Sequence, residues 1–270
     1  MLSDRDLLLL SNFMYADISA TSDKSMIELL DSYTKNGVIT TDKLAHVIVT
    51  IGMSKENMAI VMNEMRKSDA IKKLTIDSSI NDGIRGACFV DRESCETTVA
   101  FRGTGGSYGQ WKSNLNAFNA VSVKEQEQAT EFIRRLKFDH ITVTGHSKGG
   151  NLAMFATITL GSRIDRCVSF EGQGFSRRFI TEYAAQIRDD NSKIISVSSS
   201  CDPVSALLHS VAGERCYIKT SGMYSHSPFI LLTKTEFDKN GNIADISKTK
   251  PAKHLSGIYM ASTKLTDLFG

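Results

Sequence analysis

The chain carries no cysteine pair spaced as CxxC, no excess of charge of either sign, no apolar run long enough for a membrane and no internal repeat. Its five cysteines, Cys88, Cys95, Cys167, Cys201 and Cys216, are odd in number and stand beside no histidine at ligand spacing. That pattern excludes a disulfide scaffold and a zinc site of the usual spacing, and predicts free thiols in a reducing, cytoplasmic setting. The 32 basic and 30 acidic residues are spread along the sequence, so no cationic stripe follows a phosphate backbone and nucleic acid is excluded as an expected partner. Leu7 to Leu10 is the only apolar run near the start. Asp4 and Asp6 precede it and Ser11-Asn12 ends it, short of either a secretory signal or a transmembrane segment. The phosphate-loop and dinucleotide glycine patterns are missing too, so neither a cofactor nor a metal is expected.

The 41% of hydrophobic and 23% of charged residues describe an ordinary globular chain, and 270 residues suffice for one large domain with a modest appendage. Leu7, Leu10 and Met14, then Met26, Leu29, Leu30 and Tyr33, recur at helical spacing, with Asn36-Gly37 as a stop. Segment 54–68 reads as a helix capped by Ser54, with Met58, Met62 and Met65 on one face. Residues 1–71 are therefore expected to form a helical N-terminal region, whose methionine faces suit either core packing or a lid over an acyl chain.

From residue 72 onwards the pattern changes. Ile84 to Val90 and Thr97 to Phe101 flank Asp91-Arg92-Glu93-Ser94 as an antiparallel hairpin, a glycine-rich loop follows, and Val123 to Leu136 is amphipathic at helical period. Strands at 141–144, 166–170 and 194–198 then alternate with helices at 148–160 and 176–188. Such alternation predicts an α/β fold over 72–270, with a mostly parallel sheet and helices on both faces. Cys216 to Thr220 reads as a further strand, Phe229 to Phe237 as an extended stretch and 253–268 as a closing helix.

Gly145-His146-Ser147-Lys148-Gly149 matches the nucleophile-elbow pattern GxSxG, in which a serine is presented on a tight strand-to-helix turn. By composition alone the pattern arises in roughly one chain of this length in ten, so its surroundings decide. Here Ile141 to Thr144 precede it as a strand and Asn151 to Ala156 follow it as a helix. A glycine-rich anion-binding turn fits these residues less well.

Together with Phe101-Arg102-Gly103-Thr104, Trp111 and the continuation Gly150-Asn151-Leu152-Ala153, this elbow resembles the class 3 lipase branch of the α/β-hydrolases. The resemblance is greater still to bacterial relatives first catalogued as the domain-of-unknown-function 2974 family, whose elbow also carries lysine after the serine. It covers roughly residues 80–235 and implies an α/β-hydrolase fold. Lys148 stands where class 3 lipases usually have leucine, so a triglyceride substrate is not implied.

A serine hydroxyl needs a base to accept its proton and a third group to orient that base, and in this fold the acid and then the histidine follow in chain order. Asp202, after the strand 194–198, occupies the acid's place, and Asp202-Pro203-Val204 resembles the family's Asp-x-Val; Asp202 also reads as a turn or cap residue. Glu171, one strand earlier, is the rival acid. Of six histidines, His46 lies among the N-terminal helices, His140 at the wrong edge of the sheet, and His146 beside the nucleophile but facing away. His226 falls in the loop where the base belongs, and His226-Ser227-Pro228-Phe229 resembles the family's His-Asp-Pro-Phe. His209, read as helical, and His254 remain alternatives.

The backbone N–H groups of Lys148 and Thr104 are the expected oxyanion donors, with Gly103 and Gly105 freeing the loop to turn; a plain hairpin connection is the bland alternative. The Lys148 side chain is expected to be a surface charge, and Trp111 and Phe118 to line either the acyl pocket or the core. The expected activity is hydrolysis of a small-molecule or lipid acyl ester through Ser147, Asp202 and His226. A thioesterase or acyltransferase on the same site, or a hydrolase-fold binding protein without turnover, are the alternatives. A histidine base further predicts activity that falls below roughly pH 6–7, where imidazoles ordinarily protonate.

Overall fold

The computed structural model describes residues 1–16, 23–44, 53–104, 122–220, 225–244 and 249–269, with side chains described as far as residue 264 in the last helix. His46, Gly105, Trp111 and Phe118 lie outside the described residues. A seven-stranded sheet organises the chain: β1 (Leu74–Asp82), β2 (Ile84–Asp91), β3 (Thr97–Phe101), β4 (Ile141–His146), β5 (Ile164–Phe170), β6 (Ile194–Ser199) and β7 (Glu214–Ile218), side by side in sequence order. β1 to β3 pair antiparallel, and β3 to β7 pair parallel. Every residue of β3 and β4 is buried, as expected for strands covered on both faces.

The strand order explains how the two faces are covered. Parallel strands laid down in sequence, with crossovers of one hand, put every connecting helix on the same face. That face carries α5 (Lys124–Arg135), α6 (Lys148–Leu160), α7 (Arg177–Glu182) and α8 (Ala184–Asp190), whose Ala129, Ile133, Leu152, Phe155 and Phe179 share a core with Val99, Phe101, Ile141 and Val143. The opposite face, left bare by these connections, is covered by the N-terminal helices α1 (Asp4–Phe13), α2 (Met26–Ser32) and α3 (Lys55–Met65). A short α4 (Asp69–Lys72) leads into β1, and α9 (Pro228–Lys234) and α10 (Leu255–Phe269) follow the last strand.

The run Leu7 to Leu10 is apolar all round the helix because α1 is enclosed all round, with all four leucines at 0% exposure. The methionine face of α3 points into the same core, where Met58, Met62 and Met65 are also at 0%. Polar ties fix α1 in place: Asp4 pairs with Arg166 of β5, and Ser11 Oγ lies 3.1 Å from Thr144 Oγ1 of β4. Ser3 caps the helix reciprocally with Asp6. Ser3→Ala is expected to cost about 1 kcal/mol in urea denaturation; an unchanged midpoint would mean that the cap contributes nothing.

Two sequence expectations change on local grounds. Asn36 and Gly37 both have positive φ, 53° and 81°, and close a small hairpin between Thr34–Lys35 and Val38–Ile39 instead of simply ending a helix. Phe229 to Phe237 is not extended: Ser227 caps α9 by accepting from the Ile230 N–H, and Pro228 stands at its first position, a helix start legible in Ser-Pro.

Candidate active site

β4 ends at His146, and α6 begins at Lys148, so Ser147 alone makes the turn between sheet and helix. Its backbone is held at φ 56°, ψ −122°, a conformation that costs a non-glycine residue on the order of 1–3 kcal/mol and survives only where the surroundings impose it. They do so here: the Ser147 N–H donates to the Phe170 carbonyl at 2.8 Å, and the Asn151 N–H donates to the Ser147 carbonyl at 3.1 Å. The Asn151 side chain secures the helix start. Its amide donates to the carbonyls of Gln173 and Gly174 at 3.1 and 3.2 Å, and its oxygen accepts from Gln126 Nε2 at 2.7 Å.

His226 bridges Ser147 and Asp202. Its Nε2 is 2.9 Å from Ser147 Oγ, and its Nδ1 is 3.0 Å from Asp202 Oδ1. Asp202 is completely buried and also accepts the backbone N–H groups of Val204 and Ser205 at 3.0 and 2.8 Å, so it caps a turn while it contacts His226. Ser225 Oγ donates to the Cys201 carbonyl at 3.0 Å and ties the histidine loop to the acid loop. Ser147 keeps 8% exposure and the His226 side chain 26%, so the pair is not sealed in the core.

His209, His254 and His140 lie elsewhere. His209 is in no helix; its backbone bridges to Phe175, and its Nδ1 is 3.3 Å from Tyr259 Oη. His254 is exposed ahead of α10. His140 pairs with Asp165 at the far end of β4.

The oxyanion candidates flank the serine. Lys148 follows it on α6, and Gly103 is packed so closely that a Cβ there would stand 3.1 Å from Ser147 Cβ, which places Thr104 at the exit of β3 beside the elbow. The Lys148 side chain is not a free surface charge. It is 12% exposed and pairs with Glu125 in the first turn of α5 at 3.0 Å.

His146 does not face away from the site. Strand alternation puts it on the α1 face with Thr144, and its ring lies 4.8 Å from that of His226, centroid to centroid. Its Nε2 is 3.0 Å from Glu171 Oε2, and its Nδ1 is 2.7 Å from the hydroxyl of Tyr15, just past α1. Glu171, at 0% exposure, also accepts the Ser199 N–H at 3.3 Å, and its Oε2 lies 3.6 Å from His226 Nδ1. Burial, and secondarily the charge of Asp202, pushes the Glu171 carboxyl well above the usual range, while burial and the neighbouring His226 hold His146 well below. Sequence reasoning set His146 aside and had no means of finding Tyr15, because that contact joins residues 131 positions apart.

Among the described residues, one grouping of donor atoms is compact enough for a metal ion: His146, Glu171 and His226, within 4.8 Å of one another. Both nitrogens of each histidine already have hydrogen-bond partners there, so the cluster is satisfied by itself. Nor is a thiol nucleophile at hand in the core, where burial pushes Cys88 and Cys167 up to about 12 and Cys216 to about 11.

A mostly parallel sheet flanked by helices, with a strained serine at the turn from a central strand into a helix, defines the α/β-hydrolase fold. The chain belongs to the Mbeg1-like family, whose model matches residues 48–253. No curated protein matches it. Among solved structures it is similar to the Rhizomucor miehei lipase in its propeptide complex, with 14% identity over 90% of this chain and 81% of that one and a TM-score of 0.45. It is also similar to the Lip2 lipase from Yarrowia lipolytica (12% identity, 81% of each chain, TM-score 0.42) and to M37 lipase (15% identity, 98% of this chain and 82% of that one, TM-score 0.44). No helix among the described residues is long and apolar enough to cross a membrane.

Proposed function

We propose that this chain hydrolyses carboxylic esters. Ser147 attacks the acyl carbonyl, and His226 takes its proton and returns it to the leaving alcohol. Asp202 holds the imidazole, and the backbone N–H groups of Thr104 and Lys148 receive the oxyanion; water then releases the acyl-enzyme. One observation carries this reading: a single imidazole lies within hydrogen-bonding distance of a strained serine on one side, at 2.9 Å, and of a buried carboxylate on the other, at 3.0 Å. The substrate is a small-molecule or lipid acyl ester. Residues 1–71 belong to this reading as a helical support for the 72–270 core, since α1 and α3 bury their apolar faces against the sheet.

The test is covalent. A fluorophosphonate is expected to label Ser147 in the folded protein, with labelling lost in Ser147→Ala, and p-nitrophenyl esters of graded chain length are expected to be cleaved in the same Ser147-dependent way. Folded protein that is neither labelled nor active would leave a binding protein on a hydrolase fold.

A further inference from the structure

The nucleophile, base and acid use only part of the polar cluster beneath the elbow. Behind His226 runs a second line of buried groups that the mechanism above leaves idle. It starts at the loop after β3, where Gly103 packs so closely on Tyr15 that an added Cβ would stand 2.3 Å from the hydroxyl. It continues through His146 to Glu171, with contacts of 2.7 and 3.0 Å, and it ends where Glu171 Oε2 comes within 3.6 Å of His226 Nδ1. Three of its members come from separate parts of the chain, Tyr15 after α1, His146 at the end of β4 and Glu171 at the end of β5. Glu171 is aimed by a left-handed backbone, φ 53°, and by N–H donors from Ser199 and Ser227. Burying a carboxyl, two rings and a strained residue next to an acid that already serves the base is costly, and packing alone does not call for it.

We propose that Glu171 is a second positioning acid for His226, sharing the imidazole Nδ1 with Asp202 and anchored from behind by His146 and Tyr15. The inference rests on the serine-hydrolase reading and deepens it. Two carboxyls facing one nitrogen do not both ionise readily, so the pair carries one negative charge. Burial, and secondarily the neighbouring Asp202, favours the protonated form of Glu171 while both acids are present. When Asp202 is replaced, Glu171 is the carboxyl that remains beside the imidazole, its Oε2 3.6 Å from His226 Nδ1, and it takes over the orientation of the ring.

The experiment is a double-mutant cycle on a p-nitrophenyl ester, with kcat and KM measured separately for the wild type, Asp202→Ala, Glu171→Gln and the double variant. Loss of the acid alone costs about 10⁴-fold in kcat in triads that have no reserve. Here Asp202→Ala is expected to cost about 10²-fold. Glu171→Gln is expected to cost less than about tenfold in the wild type but about 10²-fold in the Asp202→Ala background, with KM unchanged throughout. A residue that merely supports the fold has the same effect in both backgrounds, and equal losses overturn the proposal. Should the double variant fail to fold, Tyr15→Phe combined with Asp202→Ala carries the same comparison, because it loosens Glu171 from the far end and keeps the ring. There too, a loss larger than in the wild type supports the proposal, and an equal one overturns it. Fluorophosphonate labelling separates the two levels. An unlabelled, inactive wild type removes the hydrolase reading itself, whereas a labelled, active wild type with additive losses removes only the role of Glu171.

Discussion

His226→Ala is expected to lower kcat on a p-nitrophenyl ester by about 10⁴- to 10⁶-fold while KM changes little. A serine hydroxyl has almost no nucleophilic form near neutral pH, so the step depends on a base that takes the proton as the bond to carbon forms. The His226 Nε2 is 2.9 Å from Ser147 Oγ, and no other imidazole among the described residues stands in its place. His146 touches the His226 ring, yet its two nitrogens are engaged by Tyr15 and Glu171. His209 is engaged near Tyr259. The replacement leaves the proposed oxyanion donors, Thr104 and Lys148, in place, so the loss falls on turnover. Steady-state kinetics with near-ultraviolet dichroism to establish folding would check it. A folded His226→Ala variant within tenfold of the wild type would sink the assignment of His226 as base and pass that role to another group.

What could be read from the chain before its structure follows from the range of the interactions involved. The serine was legible because its signal is local: the glycines at 145 and 149 and the strand and helix around them lie within a short stretch. Asp202 and His226 were reachable by counting strands, since a parallel sheet in sequence order delivers successive loops to one edge, and there the two side chains meet. The region before β2 was harder. Leu74–Asp82 alternates only weakly, with exposed Asn81 and Asp82 at its end, and carries little strand signal of its own, although it pairs with β2 along its length. The second line of buried groups was invisible for a different reason. Tyr15 meets His146 only because a sheet with all its crossovers on one face needs the N-terminal helices on the other, a consequence of topology that no window of sequence contains.

The same elbow makes a second large effect expected, on stability. Gly149 is the second residue of α6, a position where alanine should favour a helix by up to about 1 kcal/mol over glycine. Its Cα, however, lies against the end of β3, and an added Cβ would stand 2.2 Å from the Phe101 carbonyl oxygen, 2.7 Å from its carbon and 2.9 Å from the Arg102 carbon. Those atoms are backbone, at and just past the end of a strand paired on both sides, and cannot rotate away as a side-chain tip could. The steric term therefore outweighs the helical one, and Gly149→Ala is expected to destabilise the protein by about 3 kcal/mol or more, a fall of about 6–12 °C in Tm for a chain of this size. Gly257→Ala is the matched control. It also lies within a helix, α10, but an added Cβ there meets nothing within 4 Å, so its Tm should hold or rise slightly. If the two variants melted alike, the close approach of α6 to β3 would be wrong, and with it the placement of Thr104 beside Ser147. Relief of that clash at Gly149 requires the β3 exit to move, and the oxyanion loop begins there. Any Gly149→Ala protein that still folds should therefore lose turnover as well as stability.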